Sequence, residues 1–445
     1  YGITFTGNVA GPSAASTAAV LTLTGGAYAT GFNTGVISNG SGSGSTLALV
    51  QNTSGTTTLS GTNTYSGGTT ISGGTLSISA DRNLGAVPGT TTAASITLNG
   101  GELLLTTNDV TLDSKRGITL GASGGTLSSA ASKTLTYGGL ITGSTALTIG
   151  SSGNTGTVLL SANNTTYTGS ATVAYGTLAV SVDGALGTTA NGTTVNNGAT
   201  LDLRNVAYAT TEPLTLAAGS TLKASTGTSS FAGAITLTGS TTVDVGGTQL
   251  TLSGIIGDGS GGFSITKSNT GILVLSNTNT YSGGTTISGG TLSISADRNL
   301  GAVPGTTTAA SITLNGGELL LTTNDVTLDS KRGITLGASG GTLSSAASKT
   351  LTYGGLITGS TALTIGSSGN TGTVLLSANN TTYTGSATVA YGTLAVSVDG
   401  ALGTTANGTT VNNGATLDLR NVAYATTEPL TLAAGSTLKA STGTS

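Results

Sequence analysis

Short stretches of the chain alternate between aliphatic residues and residues that carry hydroxyl groups or charges. Leu76 and Ile78 alternate with threonine and serine, and Leu201 and Leu203 flank Asp202. A period of two places successive side chains on opposite faces of a β-strand, so one face of each such strand is predicted to be buried. We therefore expect the aliphatic side chains to point inward, and the hydroxyls and charges, including Asp202, to point outward.

A longer period lies above this alternation. An aliphatic residue follows a glycine-rich turn at intervals of 21–27 residues, which is typical of the coils of a β-solenoid. The positions concerned are Leu76, Leu103 and Leu127, and then Leu178, Leu201, Leu222 and Val243. Gly-Gly and Asn-Gly pairs between the strands supply the positive φ angles that tight corners need. One corner is predicted to be a helical turn, capped by Asp81 and ended by Gly85, or else a plain loop.

The chain also repeats on a much larger scale. Residues 62–229 recur letter for letter as residues 278–445, which is 168 positions at a shift of 216. We interpret this as a tandem array of 216-residue repeats, of which the sequence is a section. Three parts are predicted: 1–61 as divergent N-terminal coils, 62–277 as the first full repeat, and 278–445 as a second, truncated repeat. Together they are expected to form one continuous rod.

Composition supports an all-β parallel β-helix. The chain has 74 glycines, no tryptophan, 36% hydrophobic and only 7% charged residues, and its mean hydropathy of +0.23 is too high for an ordinary disordered chain. A β-sandwich would ordinarily use large aromatic core residues, and a leucine-rich repeat would need helical segments and a regular asparagine that are not found. Stacked coils spaced by about 4.8 Å would give a rod roughly 95 Å long.

One stretch carries a family resemblance. The string NTYSGGTTISGGTL at 279–292, preceded by 259–278 and followed by 295–302 and 312–319, resembles the passenger-associated repeat of bacterial autotransporters. Related matches cover 47–105 and 262–321, with weaker ones at 147–203 and 363–419. The resemblance implies a right-handed β-helical passenger that is exported and then carried through an outer-membrane barrel to the cell surface. Neither an export signal nor a barrel is found in this section, and no apolar run reaches the roughly 20 residues of a membrane helix.

Catalytic chemistry has few candidates in this composition. Histidine and cysteine are absent, which excludes Ser-His and Cys-His nucleophiles and imidazole or thiolate metal ligands. The candidate cluster is Asp109, Asp113, Lys115 and Arg116, which is duplicated as Asp325, Asp329, Lys331 and Arg332. It is compatible with a polysaccharide lyase or hydrolase, but solvated charges at a loop corner are the favoured interpretation. We predict no enzymatic activity and no catalytic or cofactor-binding residues.

The remaining candidate sites are interpreted as structural. Asp258, in the turn 257–262, is a single glycine-aspartate motif where a calcium site would need several, so a solvated turn and no metal are predicted. Asn52, Asn164 and Asn191 match the N-glycosylation pattern, which chance explains in so threonine-rich a chain. The tyrosines at 65, 137, 167, 175 and 208 either form outward ladders or, as we favour, cover coil corners. Thr-x-Thr motifs at 22–24 and 134–136 permit an ice-binding solenoid, but no recurrence at one place in every coil is found.

The function predicted from these observations is structural. The net charge of −3 and the absence of a basic stripe argue against nucleic acid as a partner. We expect a non-enzymatic bacterial surface protein that forms an extended fibre or stalk for adhesion, aggregation or filament assembly. Its expected partners are further copies, joined end to end or side by side, or carbohydrate or protein ligands on neighbouring cells. A polysaccharide-acting β-helix enzyme and an ice-binding solenoid are the alternatives, and no ligand-binding residue is assigned.

Overall fold

The computed structural model describes residues 4–5, 7–25, 30–32 and 35–443. The chain divides into two compact units, Tyr1–Thr221 and Leu222–Ser445. Within each unit, neighbouring strands of the described residues pair in parallel and form stacked coils. The predicted all-β parallel β-solenoid is therefore confirmed. The right-handed sense, the 216-residue repeat as a building block and the continuous rod stay predictions.

Short strands make up the first unit. They are β1 (Thr4–Phe5), β2 (Val9–Ala10), β3 (Ala18–Gly25), β4 (Thr30–Phe32), β5 (Ile37–Ser38), β6 (Thr46–Leu59), β7 (Thr69–Ile78), β8 (Thr92–Leu98), β9 (Glu102–Leu105), β10 (Val110–Leu112), β11 (Arg116–Leu120), β12 (Gly125–Ser129), β13 (Thr134–Tyr137), β14 (Ile141–Thr142), β15 (Leu147–Ile149), β16 (Thr157–Leu160), β17 (Ala171–Val173), β18 (Thr177–Val180), β19 (Thr193–Val195), β20 (Thr200–Arg204), β21 (Ala207–Tyr208) and β22 (Leu214–Leu216). A further strand, β23 (Thr221–Thr226), begins at the last residue of the unit.

Three ladders run through the first unit. One passes through β7, β8, β11 and β14, the second through β9, β12, β15, β17, β19 and β22, and the third through β10, β13, β16, β18 and β20. Leu103 is the register partner of both Leu76 and Leu127, and Leu178 pairs with Leu201. The coil interval predicted from these leucines is confirmed, because residues one interval apart lie in adjacent strands.

The second unit continues with strands of the same kind. They are β24 (Thr228–Phe231), β25 (Ile235–Leu237), β26 (Thr241–Val245), β27 (Gln249–Leu252), β28 (Ile256–Gly257), β29 (Ile265–Ser268), β30 (Ile272–Leu275), β31 (Thr285–Ile287), β32 (Thr291–Ile294), β33 (Thr308–Leu314), β34 (Glu318–Leu321), β35 (Val326–Leu328), β36 (Arg332–Leu336), β37 (Gly341–Ser345), β38 (Thr350–Tyr353), β39 (Ile357–Thr358), β40 (Leu363–Ile365), β41 (Thr373–Leu376), β42 (Ala387–Val389), β43 (Thr393–Val396), β44 (Thr409–Val411), β45 (Thr416–Arg420), β46 (Leu430–Leu432) and β47 (Thr437–Thr442). Its ladders include β26–β29–β31–β33–β36–β39 and β35–β38–β41–β43–β45–β47.

The core of each unit consists of aliphatic side chains stacked in register. One buried column of the first unit contains Leu103, Leu127, Ile149, Val173, Val195 and Leu216, one residue from each successive strand of its ladder. A lone coil cannot enclose such side chains, since each is covered by its register partners in the coils before and after it. Burial in this fold therefore depends on stacking.

The predicted rule that polar side chains point outward is wrong at Ser77 and Asp202, which are both buried. Asp202 pairs in register with the buried Ala179, so both faces of this ladder are covered. The carboxylate tolerates burial because Arg204 Nε donates to its Oδ2 over 2.8 Å.

The predicted helical turn forms, as a 3₁₀-helix at Asp81–Leu84 that recurs at Asp297–Leu300. Gly85 ends it with φ 82°, where a β-carbon would collide with the Tyr65 carbonyl oxygen. The predicted cap is wrong: Ala80 is the N-cap, and Asn83 Oδ1 accepts hydrogen bonds from the backbone N–H groups of Ser79 and Ala80. The Asp81 carboxylate is used elsewhere.

Candidate functional site

An asparagine that precedes a tyrosine connects successive coils. Asn164 is buried, and its Oδ1 accepts from the Ile141 N–H at 2.9 Å while its Nδ2 donates to the Ala185 carbonyl at 2.8 Å. Equivalent bonds are made by Asn63, Asn279 and Asn380. The side chain thus links the coil before it to the coil after it. Sequence reasoning missed this role, although the recurrence of asparagine two or three residues before tyrosine was a visible signal.

Four of the five singled-out tyrosines cover corners, as predicted. Tyr65, Tyr137, Tyr167 and Tyr208 are buried. The Tyr137 hydroxyl accepts from the Ile118 N–H at 3.0 Å and lies 2.7 Å from the Arg116 carbonyl oxygen, to which it donates. Burial raises the pKa of each of these phenols well above its ordinary value. Tyr175 differs, since it is exposed.

The candidate catalytic cluster is not assembled. The predicted solvated charge at Arg116 is wrong, because the side chain is buried and its Nε donates to Asp81 Oδ1 at 2.8 Å. Its two terminal nitrogens donate to Asp81 Oδ2 and to the carbonyl oxygens of Leu84, Gly85 and Ala86. The physical reason is that a corner with one carboxylate and several carbonyl oxygens satisfies every guanidinium donor.

The carboxylates of that cluster accept backbone hydrogen bonds, Asp109 from the next coil and Asp113 within its own turn. Asp109 Oδ1 accepts from the Thr134 N–H at 2.8 Å, and Asp113 Oδ1 accepts from the Lys115 N–H at 2.9 Å. Lys115 is exposed, as predicted. The second copy places Asp325, Asp329, Lys331 and Arg332 in the same arrangement, with Arg332 paired to Asp297. In both copies the arginine is thus paired with a carboxylate from outside the cluster.

The predicted solvated turn at Asp258 is also wrong. The side chain is buried, and its carboxylate accepts hydrogen bonds from the N–H groups of Ser260, Phe263 and Ser282 and from the Ser282 hydroxyl. These donors hold its pKa below the ordinary value against the opposing effect of burial. The acceptor capacity that a cation would need is thus committed to closing the turn. Within the described ranges, no three Asp, Glu, Cys or His side chains lie together as metal ligands, and no helix is long and apolar enough to cross a membrane.

Glu212 is a buried carboxyl group that sequence reasoning did not find. Thr193 Oγ1 donates to its Oε1 at 2.5 Å, and the Tyr208 hydroxyl donates to its Oε2 at 3.3 Å. Burial raises the pKa of Glu212 to about 7, although both hydrogen bonds oppose the rise. The second copy contains Glu428 with equivalent hydrogen bonds from Thr409 and Tyr424, and burial raises its pKa as well.

Threonines form regular columns on the outer faces of both units. In the first unit, the register places Thr126, Thr148, Thr172, Thr194 and Thr215 on consecutive strands. In the second unit, a column contains Thr242, Thr266, Thr286, Thr313, Thr335 and Thr358. The earlier expectation concerned Thr-x-Thr motifs, whereas these columns contain a single threonine from each strand. These columns do not form a visible motif in the sequence, because loops of unequal length separate their members.

The columns have a uniform chemistry. Most of these threonines are half-buried between two buried neighbours of their strand, as with Thr286 between Thr285 and Ile287. Each presents a hydroxyl and a methyl group at the spacing of adjacent strands, about 4.8 Å. Some hydroxyls pair along the column, since Thr335 Oγ1 lies 3.0 Å from Thr358 Oγ1. These columns are the candidate functional surface of the described chain.

Comparison with known proteins identifies the repeated element. The passenger-associated-transport-repeat family matches residues 49–78, 153–180, 265–294 and 369–396. This chain carries the repeats of an autotransporter passenger. The four matches lie inside the four regions that the sequence predicted, and each covers strands before and after one asparagine-tyrosine corner. The resemblance found in the sequence is confirmed.

A curated relative supports the same assignment. The chain is 38% identical over 162 residues to the adhesin BmaC autotransporter of Brucella suis biovar 1 (strain 1330). The match covers 36% of this chain and 4% of that protein, so the aligned passenger segment spans a small part of the relative's length. No solved structure matches the chain.

Proposed function

We propose that this chain is part of a non-enzymatic adhesive passenger that is displayed outside the bacterial cell as a fibre or stalk. The observation that carries the proposal is the passenger repeat, which occurs four times in the chain. The name of the Brucella relative, an adhesin, supports the adhesive role. The repeat also supports the proposed cell-surface location, because autotransporter passengers are the segments that such proteins export.

The structure supports adhesion through many weak contacts. The polar groups of the corners are committed to internal bonds, as with Asn164 and Arg116. The threonine columns are the groups that the coils present outward in a regular order. A single hydroxyl or methyl contact is weak, but several in a line add up when the partner has the same spacing.

A second copy of the chain is the partner that we propose for the columns. Two parallel β-solenoids share the strand spacing of about 4.8 Å, so a column on one copy matches a column on another residue by residue. Side-by-side association would place hydroxyls and methyl groups in repeated contact without a dedicated pocket. A carbohydrate or protein on a neighbouring cell is the alternative partner.

Cell aggregation tests this proposal. The chain is displayed on non-aggregating cells through a heterologous anchor, and settling is measured for the parent and for a variant with Thr266→Lys, Thr286→Lys and Thr313→Lys. Repulsion between the added charges should abolish settling. The matched control carries the same three charges at exposed loop positions, as Thr306→Lys, Thr307→Lys and Ser339→Lys, and should settle like the parent.

Mixing displaying and non-displaying cells separates the two partners. Aggregates made of displaying cells alone indicate self-association, whereas mixed aggregates or binding to host surfaces indicate a heterologous ligand. Settling by the column variant that equals the parent would overturn the role of the columns. In the native organism, an antibody against the largely exposed segment 304–308 should label intact cells, and cytoplasmic labelling alone would contradict the proposed location.

The absence of enzymatic activity is part of the proposal. It rests on the use of Asp109 and Asp113 as acceptors of backbone hydrogen bonds and on the ion pair between Arg116 and Asp81. Incubation with acidic and neutral polysaccharides should leave them intact. Reproducible cleavage that disappears with Asp109→Asn combined with Asp325→Asn would refute this part.

A further inference from the structure

A lysine occupies the interior of the second unit. Lys267 in β29 is fully buried and pairs in register with Ile287, so it holds a position where an aliphatic residue is expected. Its Nζ donates to the carbonyl oxygens of Ser268, Asn269 and Gly289 at 2.9, 2.8 and 3.1 Å. Three ammonium hydrogens thus meet three carbonyl oxygens. The corner is a cage for one positive charge, built largely from backbone.

The first unit has a glutamine at the corresponding position. Gln51 precedes Lys267 by 216 residues, is fully buried, and pairs in register with Ile71 as Lys267 does with Ile287. Its Nε2 donates to Thr53 Oγ1 at 2.7 Å, but its Oε1 has no hydrogen-bond partner. A buried carbonyl oxygen without a partner is destabilising, so this atom requires an explanation.

The orientation of the glutamine amide follows from its neighbour. The Thr53 hydroxyl donates to the Gly55 carbonyl oxygen at 3.2 Å. Because a hydroxyl carries one hydrogen, Thr53 accepts from Gln51 Nε2 in this arrangement. The atom left unpaired in it is an oxygen. A second buried oxygen without a partner, Thr57 Oγ1, lies on the same strand.

One oxygen of the cage keeps its position in the first unit. A β-carbon added at Gly73 would lie 3.2 Å from the Thr53 carbonyl oxygen, and one added at Gly289 would lie 3.2 Å from the Asn269 carbonyl oxygen. The carbonyl oxygens of residues 53 and 269 therefore occupy corresponding places beside the next coil. The first unit keeps this oxygen but has no ammonium group to meet it.

We propose that the corner at Gln51 binds a monovalent cation of the size of potassium or ammonium. Gln51 Oε1 and the backbone carbonyl oxygens around it would coordinate the ion, which takes the place that Lys267 Nζ fills in the second unit. Gln51 Oε1 and the Thr53 carbonyl oxygen are both acceptors, and a cation is attracted to both at once. A water molecule can donate only two hydrogen bonds.

Crystallography in rubidium chloride tests the site directly, because rubidium substitutes for potassium and scatters anomalously. The expected result is an anomalous peak beside Gln51 Oε1 and none at Lys267. Gln51→Lys should remove the peak because the new side chain supplies its own charge. Lys267→Gln is the matched variant and should create a peak in the second unit. Water density without an anomalous signal at Gln51 would overturn the proposal.

Hydrogen exchange measures the same binding in solution. Peptides 46–61 and 262–277 are suitable because they lie outside the identical copies and differ in mass. When the potassium concentration is ten times the dissociation constant of the proposed site, amide exchange in peptide 46–61 should be about tenfold slower than in choline chloride of equal ionic strength. Exchange of 262–277 should not change. Lys267→Gln should transfer the effect to 262–277, and equal exchange of 46–61 in both salts would contradict the site.

Discussion

The two identical sequence copies contain regions that differ in burial. Leu214 is 1% exposed and Leu216 is 1% exposed, whereas their counterparts Leu430 and Leu432 are 42% and 47% exposed. Both pairs have the same sequence before them and the same strand pairing to the preceding coil. Leucines at equivalent positions of the two copies therefore differ in how far they are covered.

Other parts of the copies are the same. Arg116 and Arg332 make the same ion pair at 2.8 Å, and Asn164 and Asn380 make the same two bonds between coils. The partners of these side chains lie within the repeated sequence. A coil therefore carries its own corner chemistry but receives part of its apolar cover from the next coil.

Removing the buried arginine should have the largest effect. Arg116→Met leaves Asp81 and several carbonyl oxygens without their donor, so the free energy of unfolding should fall by about 3–5 kcal/mol. Arg332→Met should cost the same amount, since its contacts are the same. Chemical denaturation of the full chain measures both. Lys115→Met is the control, with a change within about 0.5 kcal/mol. Unequal losses at Arg116 and Arg332 would break the equivalence of the copies.

Leucine truncation should separate the two regions that differ. Leu214→Ala creates a cavity in the core and should lower the free energy of unfolding by about 2–5 kcal/mol. Leu430→Ala, in the same sequence context, should change it by less than about 1 kcal/mol because the side chain is already exposed. Equal costs, measured by denaturation, would contradict this difference in cover.

The pH dependence of stability should reveal Glu212. Its pKa is raised to about 7 in the folded state, so the folded state favours the neutral acid. The stabilisation is complete below the ordinary pKa near 4.5 and is lost as the pH rises through about 7. The free energy of unfolding should fall by up to about 3 kcal/mol across this window. Glu212→Gln should reduce this fall, while Glu428, whose pKa burial also raises, keeps its own contribution. A wild-type profile that rises with pH would contradict the assignment.

The asparagine links should give a smaller effect. Asn164→Ala leaves the Ile141 N–H and the Ala185 carbonyl oxygen unpaired and should cost about 1–3 kcal/mol. Asn191→Ala is the control at an exposed asparagine, with an expected cost below about 1 kcal/mol. Thermal unfolding measures the stability of both variants. If Asn164 tolerates alanine as well as Asn191 does, the link between coils contributes little.

The sequence alone determined the coils. Alternation around Leu76 and Leu201, and the intervals between the leucines, predicted strands and register because side chains one coil apart share one column. The 3₁₀ corner, the covering tyrosines and the passenger repeat were predicted from short local strings, since backbone geometry and local packing suffice to set them.

The tertiary structure decided which polar groups are buried. Arg116 meets Asp81, 35 residues earlier, and Asp258 accepts from Ser282, 24 residues later. The threonine columns and the cage around Lys267 also combine residues from different coils. Loops of unequal length separate such partners, so no fixed spacing marks them in the sequence. A charge is stable inside the protein only where donors and acceptors from neighbouring coils replace its water, and stacking alone brings those groups together.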